Sequence, residues 1–129
     1  MTISFANKKV IIAGSRNLND YLWMDHWLYK ITQDGQIKFE VVSGMAKGID
    51  SMAVEWAKRN GYTWKEFPAD WSLGKGAGHI RNRQMAEYAD LLIAFWDGKS
   101  KGTLNMINTM KSLGKHGKVI TWINQPPPF

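Results

Sequence analysis

Five short runs of β-forming residues punctuate the chain, at 9–13, 39–42, 63–67, 91–95 and 118–122, each bounded by turn residues. Every interval between them carries a helical period. Ile49, Met52, Ala53, Trp56 and Ala57 form one apolar stripe, stopped by Gly61. Trp23, Trp27 and Ile31 form another, with Asn19 or Asp20 as its cap. Met106, Ile107, Met110 and Leu113 give a third, closed by Gly114, and a helix over about 80–89 completes the series. Strands alternating with helices in the order βαβαβαβαβ predict a parallel sheet covered by helices on both faces.

One domain accounts for all of this. Splitting 129 residues would leave neither half a workable core. We assign residues 1–125 to the domain and 126–129 to a proline-rich tail. No run is long enough to span a membrane, and the first seven residues lack the basic start and apolar stretch of a signal peptide. The absence of cysteine excludes disulfides, thiolate metal sites and cysteine nucleophiles, and suits a cytoplasmic protein. His26, His79 and His116 show no metal-ligand spacing, so neither a metal nor a bound cofactor is expected. The formal charge of +6 calls for anionic partners.

In a sheet of this kind ligands sit at the carboxyl ends of the strands. Eight of the twelve glycines (Gly14, Gly44, Gly48, Gly74, Gly76, Gly78, Gly98 and Gly102) fall in the strand-to-helix connections. Arg16, Lys47, Lys75, Arg81, Arg83, Lys99 and Lys101 lie on or beside the same rim, against Asp50, Asp70 and Asp97. A cationic, glycine-rich rim at helix N-termini is an anion site.

Four segments build that rim. Gly14-Ser15-Arg16 offers amides and a guanidinium to a phosphate, or is a plain turn with a solvated arginine. In the segment from Ser43 through Gly44, Ala46 and Gly48 to Asp50, small residues permit a tight turn; Asp50 either accepts ribose hydroxyls or complements the helix dipole. The spacing is neither Walker A nor G-x-G-x-x-G, which disfavours ordinary NAD binding. The loop from Pro68 to Gly78 is longer than a connector needs and leads into Arg81 and Asn82, polar residues where the inward stripe of Met85, Ala86 and Ala89 should be apolar. Arg81 either contacts a ligand or pairs with Asp70 or Asp90. Trp71 either stacks on a base or plugs the loop. Asp97, Gly98, Ser100, Gly102 and Thr103 make the best phosphate cradle in the chain, unless Thr103 is a simple cap. The seven tryptophans are mostly core by position, Trp23, Trp27 and Trp56 above all.

Taken together, these segments resemble the SLOG superfamily of Rossmann-like nucleotide-ligand proteins, and within it the YspA-like branch. The resemblance spans nearly the whole chain, through 14–16, 43–50, 69–71, 78–85 and 94–103. The segment from Ser43 to Asp50 also resembles that of the DprA family, which binds single-stranded DNA. The segments around Arg81 to Met85 and Gly98 to Thr103 are similar to those of the LOG phosphoribohydrolases, which act on nucleoside monophosphates. The LOG pattern places its assisting glutamate at the position of Met106, beside Asn105. A methionine cannot serve as a base there. If the chain is an enzyme at an N-glycosidic bond, the candidates are Asp50, Asp70, Asp97 and Arg81.

The expectation is therefore a three-layer α/β Rossmann-like sandwich with a five-stranded parallel sheet in the order 3-2-1-4-5. It would bind a nucleotide or nucleotide-derived small molecule, with Arg16, Gly44, Gly48, Gly98, Ser100, Gly102 and Thr103 at phosphates, Asp50 at sugar hydroxyls, and Arg81 with Asn82 at the middle of the ligand. The resemblance implies a homo-oligomer, dimer or tetramer. The alternatives are a DprA-like single-stranded nucleic-acid binder and a ligand-free structural subunit.

Overall fold

The structure is a computed structural model, and it describes residues 4–121. Its elements are β1 (Lys9–Gly14), α1 (Tyr21–Ile31), β2 (Glu40–Ser43), α2 (Ile49–Asn60), β3 (Trp64–Glu66), a 3₁₀ turn (Trp71–Leu73), α3 (Ala77–Tyr88), β4 (Leu91–Trp96), α4 (Lys101–Ser112) and β5 (His116–Thr121). All strand pairs are parallel, in the order β3-β2-β1-β4-β5. This is the three-layer α/β architecture that the element order predicts. Trp122 and the proline-rich tail lie outside the described residues.

Two apolar layers explain why β1 reads as an unbroken hydrophobic run. Val10 and Ile12 pack with Trp23, Met24, Leu28, Ile49, Ala53 and Trp56 of α1 and α2. Ile11 and Ala13 pack with Met85, Ala86, Met106, Ile107 and Met110 of α3 and α4. A strand buried on both faces needs apolar residues at every position, not at alternate ones. The edge strand β3, by contrast, is exposed along its length.

Several local expectations change. Helix α3 starts at Ala77, three residues before the expected 80, because Ala77 is itself buried. Gly78 and Gly102 thus lie in the first turns of α3 and α4, not in loops. Strand β5 begins at His116, where Gly117 lies so close to Leu92 that a Cβ would stand 2.8 Å from the Leu92 carbonyl. Four of the six described tryptophans lie in the core or pack against it, and two do not. Trp23 and Trp56 are buried, Trp27 and Trp96 are half-buried, and Trp64 and Trp71 are exposed. The edge position of β3 and the outward 3₁₀ turn account for the last two. Among the described residues no helix is long and apolar enough to cross a membrane.

The topology also places the site. β1 pairs with β2 on one side and β4 on the other, so the connections after β1 and β4 leave the sheet toward opposite faces and open a crevice between them.

Candidate functional site

A cavity of about 410 Å³ occupies that crevice. Its wall is formed by Gly14 at the end of β1, Arg16 and Asn17 just after it, Ala46 and Asp50 from the β2–α2 segment, and Ser100, Gly102 and Thr103 from the start of α4. Trp71, Lys75, Gly78, His79, Arg81, Asn82 and Met85 enclose it from the loop before α3 and from α3 itself, and Met106 lies at its floor. A second cavity of about 560 Å³ adjoins the first and shares Arg16, Ala46, Trp71 and Arg81 with it; Gly44, Met45, Lys47, Pro68 and Ala69 complete its wall.

Close packing of backbone makes the crevice possible. A Cβ on Gly14 would stand 2.5 Å from the Phe95 carbonyl oxygen and 2.6 Å from Ile49 Cβ. Gly48 has φ +77°, and a Cβ there would meet the Arg16 carbonyl at 2.7 Å. Only glycine satisfies both the conformation and the space. Ser15 ties the two sides of the switch point together: its N–H donates to the Phe95 carbonyl at 3.1 Å and its Oγ accepts from Asp97 N–H at 3.0 Å.

Asp50 is 5% exposed and sits in the first turn of α2. Its Oδ1 accepts from Gly14 N–H at 3.2 Å and its Oδ2 from Ala46 N–H at 3.4 Å. Burial pushes its pKa up to about 6, against the opposing pull of Arg81, of those two backbone N–H groups and of Arg16. Ser43 supports the same turn, donating from Oγ to the Asp50 carbonyl at 2.9 Å and accepting from Met45 N–H at 3.1 Å.

Arg81 is a buried cation, 8% exposed. It donates from Nη1 to the Gly44 carbonyl and from Nε to Asn82 Oδ1 at 3.1 Å. Among the described residues it makes no ion pair, so neither Asp70 nor Asp90 holds it. Asp90 instead accepts from Lys9 N–H at 2.9 Å. Burial lowers the Arg81 pKa, Asp50 raises it, and the like charge of Arg16 lowers it further. Asn82 fixes the arrangement to α4, donating from Nδ2 to Asn105 Oδ1 at 2.9 Å and to the Gly102 carbonyl at 3.3 Å.

The N-termini of α2, α3 and α4 open on this rim, and their N-cap residues Gly48, Gly76 and Ser100 make no side-chain capping bond. Helix α1 differs: Asp20 accepts from Trp23 N–H at 3.0 Å. Helix first turns without a side-chain acceptor favour anions. Ser100 Oγ and Thr103 Oγ1 lie 3.3 Å apart at the start of α4, and Ser100, not Thr103, is the N-cap.

Of the residues singled out in the sequence, Gly14, Arg16, Ala46, Asp50, Trp71, Arg81, Asn82, Ser100, Gly102 and Thr103 line the first cavity, and Gly44 lines the second. Ser15, Ser43, Gly48, Asp70, Asp97 and Gly98 line neither. Asp70 accepts from Ser72 N–H at 3.1 Å and caps the 3₁₀ turn. Asp97 accepts from Lys99 N–H at 2.8 Å and from Ser100 N–H at 2.7 Å. Desolvation works to raise the Asp97 pKa, but these bonds and others from Ser15 and Asn17 hold it below the ordinary value. Gly98 supplies the positive φ, +81°, of that turn. Trp71 is 60% exposed and lines both cavities, so it does not plug the loop. Lys75 and Gly78, placed on the rim by the sequence, line the wall, and Asn17, His79 and Met85 join it without having been singled out as ligand-binding residues. Adjacency to Arg16 was the one available signal for Asn17. Met106, where the LOG pattern carries its glutamate, is buried.

Comparison with known proteins agrees with this architecture. The chain is 32% identical to the Gene 61 protein of Mycobacterium phage D29 over 114 residues, 83% of this chain and 91% of that protein. The X-ray structure of DNA processing protein A (DprA) from Streptococcus pneumoniae superposes with a TM-score of 0.74 at 20% identity, covering 94% of this chain and 53% of DprA. The chain therefore spans about half the length of that structure, and the likeness is one of fold. A family model described as the YspA, cpYpsA-related SLOG family matches residues 8–74. With the parallel sheet, the glycine-bounded crevice and this match together, the chain belongs to the YspA, cpYpsA-related SLOG family.

Proposed function

We propose that the protein binds a nucleotide or nucleotide-derived small molecule in the crevice at the carboxyl ends of β1 and β4. The observation that carries this reading is the wall of the 410 Å³ cavity, where Arg16 and Arg81 face one buried carboxylate, Asp50, beside the start of α4. Guanidiniums and first-turn amides suit phosphate oxygens. A carboxylate that accepts only two long backbone bonds retains acceptor capacity for sugar hydroxyls. In this reading Arg16, Ser100, Gly102 and Thr103 hold phosphate, Asp50 holds the sugar, Arg81 with Asn82 holds the middle of the ligand, and Trp71 stacks on the base. Gly44, Gly48 and Gly98 shape the loops. Of the three candidate aspartates only Asp50 lines the cavity, so an acid–base role at an N-glycosidic bond falls to Asp50, with Arg81 beside it. Homo-oligomeric assembly in the cytoplasm belongs to the same proposal, and native mass spectrometry measures the assembly.

The test is titration of the protein with a panel of mononucleotides, dinucleotides and a single-stranded oligonucleotide at two salt concentrations, read by tryptophan fluorescence. Saturable binding at one ligand per subunit, tolerant of salt and lost in Arg81→Ala and Gly102→Asp, supports the proposal. The fold likeness to DprA and the lysines of the rim favour one other reading, a single-stranded nucleic-acid surface. Binding confined to the oligonucleotide and falling steeply with salt would replace the first reading with that one.

A further inference from the structure

The two adjoining cavities carry the site one step beyond nucleotide binding. Each alone has the volume of a small-molecule site, about 410 and 560 Å³, within the ~300–1,000 Å³ range of such pockets. A ligand confined to the first cavity leaves the second to solvent. The two meet at a waist formed by Arg16, Ala46, Trp71 and Arg81. Exposed Arg16 and buried Arg81 therefore border both cavities; Asp50 offsets part of the Arg81 charge, the like charge of Arg16 opposes it, and Arg81 makes no ion pair among the described residues. An anion placed between two like charges, one of them buried, relieves their repulsion and accepts hydrogen bonds from both. The groups away from the waist differ in kind. The first cavity offers Asp50, Asn82 and Thr103, suited to hydroxyls and amides. The second offers Met45, Pro68 and Ala69, apolar side chains on which a flat base can lie, with Lys47 at its side. Trp71 reaches both.

We infer that the ligand is two-headed: two nucleoside halves, one in each cavity, joined by a phosphate bridge seated between Arg16 and Arg81. The inference rests on the nucleotide reading above and adds the ligand's length and the position of its charge. A pyrophosphate-bridged dinucleotide and a phosphodiester-linked dinucleotide share this chemistry, and the experiment separates them.

The experiment is equilibrium titration of the full chain with AMP, with diadenosine diphosphate, with the 3′,5′-linked dinucleotide ApA, and with oligoadenylates of up to eight nucleotides. At least one two-headed ligand is expected to bind one per subunit and about 10²-fold tighter than AMP, the gain that joining two subsites gives. Which of the two does so identifies the bridge. Ala69→Trp, and independently Pro68→Trp, fills the second cavity from a residue absent from the first, and each is expected to bring the ratio of two-headed to AMP affinity down to about one. Ala69 is half-buried and Pro68 exposed, so both variants are expected to fold, which a thermal melt verifies. Equal affinity for AMP and both two-headed ligands in the unmutated protein overturns the inference while leaving nucleotide binding intact. Affinity that keeps climbing from two to eight nucleotides overturns it in favour of a nucleic-acid surface. Failure of every nucleotide to bind removes the nucleotide reading and this inference together.

Discussion

The carboxylate of Asp50 accepts the backbone N–H of Gly14 at 3.2 Å, joining the first turn of α2 to the end of β1 across 36 positions of sequence. Its other oxygen accepts Ala46 N–H at 3.4 Å. One buried acid thus holds two of the site's connections while facing the cavity.

That burial has a pH signature. The folded pKa of Asp50 is raised from 3.8 to about 6, so the fold favours the protonated form. The stabilisation is fully present below about pH 4 and is lost as pH rises through 6. Two pKa units correspond to on the order of 2–3 kcal/mol. Urea unfolding of the unmutated protein and Asp50→Asn across pH 4–7 measures the effect. The stability of the unmutated protein relative to the variant should fall by that amount as pH rises; a constant difference would sink the assignment.

Two glycines of the same rim should respond in opposite ways to alanine. Gly14→Ala drives a Cβ into the Phe95 carbonyl and the Ile49 side chain, and is expected to cost about 1–3 kcal/mol or more. Gly102 has nothing within 4 Å of the added atom and lies in a helix. Gly102→Ala should leave stability unchanged or raise it by about 0.5–1 kcal/mol. Paired thermal melts decide between these outcomes.

Lys115 closes α3 in place of a glycine cap. Its Nζ donates to the carbonyls of Ala86 and Ala89 at 2.7 Å each and of Glu87 at 3.2 Å. A cation on the last carbonyls of a helix is favoured both by hydrogen bonding and by the dipole. Lys115→Met keeps the aliphatic stem and should cost about 1–2 kcal/mol in chemical denaturation. An unchanged midpoint would show that water replaces the ammonium without loss.

Trp71 separates binding from folding. At 60% exposure on the 3₁₀ turn, its removal should change stability by no more than about 0.5 kcal/mol. Stacking on a base contributes about 1–3 kcal/mol, so Trp71→Ala should weaken nucleotide binding by about tenfold or more. Calorimetry on a variant whose melt matches the unmutated protein provides the check. Full affinity in that variant would remove the stacking role.

Much of this molecule is written in side-chain periodicity. The run at 91–95 is apolar at every position because Leu91, Ile93 and Phe95 face one helical layer and Leu92 and Ala94 the other. Burial on both faces leaves that mark on the sequence, and parallel pairing with right-handed connections follows from it. Arg81 and Asn82 were legible for the converse reason, as polar residues interrupting an inward stripe at the end where loops gather.

Tertiary structure decided which acids face the cavity. Asp50, Asp70 and Asp97 look alike in sequence, each near a glycine or a helix start. Asp70 and Asp97 bond amides two or three residues away and complete their own turns. Asp50 finds Gly14 at the end of another strand. The Asn82–Asn105 bridge and the three carbonyls under Lys115 are likewise contacts between elements. Periodicity reports whether a position is buried, because burial repeats with the helix or strand. It carries no record of which polar group waits across a loop, because that partner is chosen by how the layers pack.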